Sequence, residues 1–220
     1  MLDSIDHFVW AAPDLDQGCA SIKSLFGVSP VPGGSHSGLG TRNALLSLGT
    51  DIYLEIMAPS ADLPPANSIG ARLAQLEAPG LATWVRRSRD LSPLAAAAKS
   101  DHVDVTPLGP VPTERLTPQG DRLAWELLFY TEHAFGGLVP FVIDWKYCPH
   151  PSSNTPKGGT VRDFEVQSQQ AEALNELFED LSIPQRALPS PTDALSLVLE
   201  TPNGTVELQS TTQVLKVLSL

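Results

Sequence analysis

The chain has 220 residues, 42% of them apolar and 18% charged, the balance of an ordinary globular protein rather than a disordered one, with length for one large domain or two small ones. Its formal net charge of −11 excludes a nucleic-acid binder of the usual kind, which needs clustered Lys and Arg against phosphates. No stretch reaches the ~20 apolar residues that span a bilayer, and the opening "MLDSID" lacks a signal-peptide pattern. The expectation is therefore a cytoplasmic protein with no membrane association. Cys19 and Cys148, far apart and in no metal-ligand spacing, then read as reduced thiols.

Twenty prolines divide the chain into short segments of alternating type. "SIDHFVWAA", from residue 4, reads as a strand. "PDLDQGCASIKSLFG" reads as a helix with Asp14 as N-cap and Gly27 as its stop, and Leu15, Cys19, Ile22 and Phe26 fall on one face. Residues 29–39 form a loop or short strand. "GTRNALLSLGTDIYLEIMAP" is two strands joined at Gly49-Thr50. After the proline-rich stretch 58–68 comes another strand, "GLATWVRRS" (80–88), then a helix, "RDLSPLAAAAKS", with Ser92 as N-cap and Pro93 at its first position. "PLGPVP" (107–112) cannot continue a helix or a central strand. Paired strands follow at 122–132 and 137–146. A strand at "TVRDFEVQS", a helix at "QQAEALNELFEDL" and a hairpin turning at Asn203-Gly204 close the chain.

The segments repeat. "IDHFVWAAPDLD" lies over "LATWVRRSRDLS" at an offset of 76 and over "VRDFEVQSQQAE" at an offset of 156, while "YLEI" lies over "TVEL", so that Glu207 echoes Glu55. A duplicated strand–helix–strands unit follows: one module over about 1–58, a second over about 80–147 and a partial third over about 160–210, all within a single domain.

Within the first module, strand alternation puts Glu55 on a face with Tyr53 and Met57, opposite Ile52, Leu54 and Ile56, and His7 on a face with Ile5 and Val9. A mid-strand carboxylate among apolar residues requires a partner, be it a metal, an arginine or His7. Nucleophilic schemes lack their motifs: there is no Gly-x-Ser-x-Gly elbow, and the glycine-rich "GVSPVPGGSHSGLG" lacks the Lys-Ser/Thr of a phosphate loop.

"IDHFVWAAPDLD", "GLGTRNALLSLG" and "YLEIMAP", in this order, resemble the glyoxalase-like domain of the vicinal oxygen chelate superfamily, as do "PFVIDW", "HPS" and "LETPNGTVEL" further on. The resemblance implies an α+β fold of repeated βαβββ modules whose curved mixed sheets enclose a cleft. It also implies a divalent metal in that cleft, chelating two neighbouring substrate oxygens, and modules that pair across chains as a homodimer.

On that resemblance His7 and Glu55 are first-module metal positions, and imidazole with carboxylate suits Zn, Mn, Fe, Ni or Mg. A direct His–Glu hydrogen bond is the alternative. The second module offers Thr83 in place of the histidine, and Ile143 or Asp144 in place of the glutamate. His36, in a glycine-rich stretch, or Asp144 is then the remaining candidate ligand. Glu55 or His36 is the candidate proton carrier. Arg42, Asn43 and His150 are candidate substrate contacts, and Trp10, Trp84 and Trp145 candidate cleft walls. The function expected is a small-molecule metalloenzyme of lyase or isomerase type. The alternative is a metal-free protein of the same fold that binds or sequesters a small molecule.

Overall fold

The computed structural model describes residues 3–62, 64–116, 120 and 122–218. β1 (Ile5–Ala11) feeds α1 (Leu15–Phe26), whose N-cap Asp14 accepts from the Gln17 N–H at 3.0 Å and whose C-cap Gly27 sits at φ 76°, where a Cβ is disfavoured. β2 (Val31–His36), β3 (Thr41–Ser47) and β4 (Tyr53–Pro59) complete the first module, and α2 (Ile69–Leu73) follows. The second module is β5 (Gly80–Arg87), α3 (Ser92–Ala97), β6 (Thr106–Leu116), β7 (Arg122–Thr131) and β8 (Phe141–Asp144). Beyond it lie β9 (Thr160–Ser168), α4 (Ala171–Asp180), β10 (Ala187–Pro189), β11 (Ala194–Thr201), β12 (Gly204–Gln209) and α5 (Thr212–Leu215).

The first two modules form one eight-stranded sheet, ordered β2-β3-β4-β1-β5-β8-β7-β6, with β1 parallel to β4, β5 parallel to β8, and β1 antiparallel to β5. Phe8 pairs with Trp84 across the centre, and these two residues are equivalent at the offset of 76. A local two-fold axis therefore passes between them, and the duplication seen in sequence is a duplication in space. The sheet curls into a half-barrel.

Three elements differ from their sequence reading. β6 runs through Pro107, Pro110 and Pro112, which is tolerated because it is an edge strand that need not donate on its outer side. α3 spans only six residues, and Ser92 is its first helical residue rather than its cap; the Asp90 carboxylate accepts from the Ser92 N–H at 3.1 Å. The third segment repeats the element order but not the wiring: its separate sheet is ordered β10-β9-β11-β12, with β9 between its parallel partner β10 and its antiparallel partner β11. Glu207, the echo of Glu55, is exposed there and accepts from Ser196 Oγ at 2.7 Å.

The curled sheet has two faces. On the convex face Ile5, Phe8, Trp10, Leu54, Ile56 and Trp84 join a core shared with α1, α4 and the small sheet. Phe164 meets Phe8 at 4.9 Å and Trp84 at 5.3 Å between ring centroids, and Phe178 of α4 meets Trp84 at 6.3 Å. On the concave face Val9, Ala11, Met57, Val85 and Leu127 pack with α2 and with Val214 and Val217 of the C-terminal segment. Among the described residues no helix is long and apolar enough to cross a membrane.

Phe178, 1% exposed, links α4 to the large sheet through its contact with Trp84. Phe178→Ala should cost roughly 3–5 kcal/mol of unfolding free energy through the cavity it leaves, read from urea denaturation followed by tryptophan fluorescence.

Candidate functional site

The concave face holds a cavity of about 670 Å³ with its open mouth counted. It is a narrow slot. Its walls are mostly aromatic and aliphatic, and its polar groups come chiefly from the first module: His7 on β1, His36 on β2, Asn43 on β3 and Glu55 on β4, with Arg115 from β6.

The backbone explains why these groups meet. In the β1–β5 register, Ile5 pairs with Arg86 and His7 with Val85, so Asp6 is an extra residue on β1, a β-bulge. A bulge re-aims side chains that strict alternation would send to opposite faces. Asp6 consequently reaches its neighbour: the His7 Nδ1–H donates to Asp6 Oδ1 at 2.8 Å. It also explains why Ile5, expected beside His7, sits in the convex core. On β4, alternation holds as expected, with Tyr53, Glu55 and Met57 facing the cavity.

A chain of polar contacts crosses the site. His7 Nε2 stands 3.5 Å from Glu55 Oε2, Asn43 Nδ2 donates to Glu55 Oε1 at 2.5 Å, and Arg115 Nη1 donates to Asn43 Oδ1 at 3.2 Å. Tyr53 stacks on the His7 ring with centroids 4.4 Å apart. On the outer side Trp145 Nε1 donates to Asp6 Oδ1 at 3.2 Å, and His150 Nε2 lies 3.3 Å from Asp6 Oδ2. His36 Nδ1 lies 3.1 Å from Thr41 Oγ1, and its ring meets Trp125 edge-on.

These contacts set the charges. Burial alone would favour neutral Asp6, but the imidazoles of His150 and His7 override it and hold the carboxyl well below its usual range. Burial likewise pushes Glu55 up, and His7 and Asn43 outweigh it, bringing the carboxyl from 4.5 to about 2. Burial would also lower His7, yet its bonds to Asp6 and Glu55 raise it above 6.5. His36 makes no carboxylate bond, so burial dominates and lowers it below 6.5; the nearby Glu55 charge opposes this, and Arg115 and His7 add to it. Two imidazoles in one cavity are thus pushed in opposite directions, His7 towards holding its proton and His36 towards losing it.

Several sequence candidates are not brought to the cavity. Trp10 alternates with Val9 and falls in the convex core, and Trp84 lies there too, its Nε1 donating to the Leu138 carbonyl at 3.0 Å. Asp144 alternates with Ile143 and turns to an outer groove, where its carboxylate accepts from the Lys146 N–H at 2.8 Å and stands 3.0 Å from Lys146 Nζ. Arg42 alternates with Asn43, donates to the Pro59 carbonyl at 3.2 Å and lies 3.7 Å from Asp14. His150 lies in the same outer groove as Asp144. Trp145 lines the cavity, as expected. Arg115, Trp125 and Asp6 were not singled out in the sequence. A buried arginine on a proline-rich edge strand has no local signature, and only the bulge reveals Asp6.

The second module leaves its half of the site without ligands. Thr83 Oγ1 donates to the Gly137 carbonyl at 3.0 Å. Register sets Phe141 opposite Val85 as it sets Glu55 opposite Val9, so the counterpart of Glu55 is Phe141, not Ile143 or Asp144. Among the described residues no three His, Cys, Asp or Glu side chains come together as a group able to hold a metal ion. His7 and Glu55 supply two donors where a tightly held metal takes three or four. The donor set therefore does not fit the resident divalent metal that the sequence resemblance implied.

Paired βαβββ modules curled around a small-molecule-sized slot define a protein of the glyoxalase type. The glyoxalase-like domain family matches residues 5–182, and the chain belongs to that family. Among solved structures, a hypothetical protein from Staphylococcus aureus is similar at a TM-score of 0.64 and 16% identity, with 93% of this chain and 84% of that one covered. Methylmalonyl-CoA epimerase from Mycobacterium tuberculosis gives 0.47 at 20% identity, over 68% and 91%. A mutant 4-hydroxymandelate synthase from Streptomyces coelicolor gives 0.48 at 13% identity, over 94% and 62%. No curated protein matches the chain.

The opposed imidazoles make a prediction in pH. The stability that His7 contributes is present below 6.5 and lost as pH rises through its raised midpoint. That of Glu55 is present above 4.5 and lost as pH falls towards about 2, and that of His36 is present above 6.5 and lost as pH falls through its lowered midpoint. Proton NMR titration should find the two ring midpoints on opposite sides of 6.5, with Glu55→Gln lowering that of His7. Coincident midpoints would refute the assignment.

Proposed function

We propose that the chain is a small-molecule enzyme of proton-transfer type, of the isomerase or lyase kind. His36 takes a proton from a carbon beside an oxygen-bearing group, and the His7 imidazolium faces the oxygen on which charge develops. The observation that supports this reading is the pair of imidazoles lining one slot, His7 hydrogen-bonded to Asp6 and facing Glu55, which raise its proton affinity, and His36 without a carboxylate bond, its proton affinity lowered by burial. Groups whose environments drive their protonation apart are what acid–base chemistry at one pH needs. A base that is already neutral can accept a proton without first losing one.

Glu55 and Asp6 are positioning residues in this scheme. They keep the imidazolium charged and fix its ring, while Asn43 fixes the Glu55 carboxylate. The narrow, largely apolar slot excludes bulk water, which strengthens each of these charges. The balance within the reaction is simple: the C–H proton moves to His36, and the electron pair it leaves is drawn onto the neighbouring oxygen. Return of the proton to the same or an adjacent carbon completes an isomerisation. Leu218 also lines the slot, and the partner in this scheme is a small-molecule substrate.

The test is exchange of carbon-bound hydrogen in D2O, followed by NMR over a panel of enolisable ketones, esters and carboxylates. Wild-type protein should accelerate exchange for at least one of them, and His36→Ala should lose about 10²- to 10⁴-fold of that rate. If no compound exchanges faster with wild type than with His36→Ala, the proposal fails. A divalent cation that raises Tm in wild type but not in His7→Ala would return the function to metal-assisted chemistry.

A further inference from the structure

We infer that Arg115 makes this slot a receptor for an organic monocarboxylate with a small apolar body, a substrate class that rests on the slot being the substrate site proposed above. Arg115 is 7% exposed and lines the cavity. Nη1 donates to Asn43 Oδ1 at 3.2 Å, and Nε has no hydrogen-bond partner. Among the described residues no carboxylate stands at ion-pair distance from this guanidinium. A buried charge without a counter-ion is costly, and the unpartnered Nε edge is the side of the fork that matches a carboxylate.

Glu55 does not fill that role. Its carboxylate is engaged by His7 and by Asn43 Nδ2, and Asn43 turns its other end, Oδ1, to Arg115. The amide thus separates the two charged groups and leaves the arginine one amide away from the carboxylate. A ligand whose carboxylate sits on Arg115 has its next one or two carbons at the polar end of the slot, near the imidazoles. Beyond that point the walls are aromatic: Trp125 and Trp145 meet at 5.2 Å and Phe129 and Phe141 at 5.1 Å between centroids. The narrow space suits a body of about one ring.

The sequence makes room for the guanidinium. A Cβ at Gly33 on β2 would collide with Asn43 Oδ1 and Arg115 Nη1. Both are ends of side chains, so Gly33→Ala would displace the anchor rather than break the backbone.

The experiment is isothermal titration of acetate, phenylacetate and 3-indolylacetate, each beside its neutral amide, to the full chain. At least one arylacetate should bind about 10- to 100-fold more tightly than its amide, the worth of a charge-assisted hydrogen bond. Arg115→Met should erase that preference, Arg115→Lys should restore part of it, and Gly33→Ala should weaken the carboxylate while sparing the amide. Arg115→Met should also melt no lower than wild type, since it removes an unpaired buried charge. Equal binding of acid and amide, absence of binding by all three acids, or an Arg115→Met variant that keeps the preference would each overturn the inference. These binding results are independent of the exchange measurement: exchange without carboxylate preference defeats only this inference, and preference without exchange defeats only the proposed chemistry.

Discussion

The site depends on a rule about buried charge: an ionised group can leave water only if opposite charge and hydrogen bonds go with it. Asp6, His7 and Glu55, each no more than 5% exposed, obey it by alternating in sign along one line, carboxylate, imidazolium, carboxylate. Remove one and its neighbours are left uncompensated. The line also fixes geometry, since His7 bonded at Nδ1 has one orientation for Nε2, and Tyr53 stacked on the ring holds its plane. Everything else in the slot is arranged around that ring.

The backbone supplies this line through a single irregularity. Without the bulge at Asp6, alternation would send its carboxylate to the convex core, where no cation waits. The equivalent strand β5 has no chemistry at the matching position, and its Thr83 closes a hydrogen bond within the fold instead. Duplication therefore produced two unlike halves. One copy retains the ionisable groups, and the other supplies aromatic walls from β7 and β8 and one arginine from β6.

How much of this was legible in the sequence follows from the range of each signal. Strand alternation, helix caps and the repeat are local or periodic, so β1, α1 and β4 could be read directly, and with them the face of β4 that Glu55 shares with Tyr53 and Met57. Arg42, Asp144, Trp10 and Trp84 illustrate the limit: each lies one residue out of phase with a neighbour on the concave face, and composition does not say which face is concave. The counterpart of Glu55 was displaced by two or three residues because the pairing register of β5 with β8 is set by tertiary contact. Arg115 is remote in sequence from its hydrogen-bond partner in the slot, Asn43, which is 72 residues away. The third segment read as another module because element order repeats, whereas strand pairing, which differs, leaves no mark on that order.

The edges of the large sheet have a bearing on self-association. β2 carries Pro32, and β6 carries Pro107, Pro110 and Pro112; each proline removes a backbone donor from a strand that would otherwise be a template for a neighbour's chain. Both terminal strands are thus poor sites for recruiting an extra strand, during synthesis or at high concentration. The same residues that obscure β6 in the sequence protect the folded sheet from growing into a fibre.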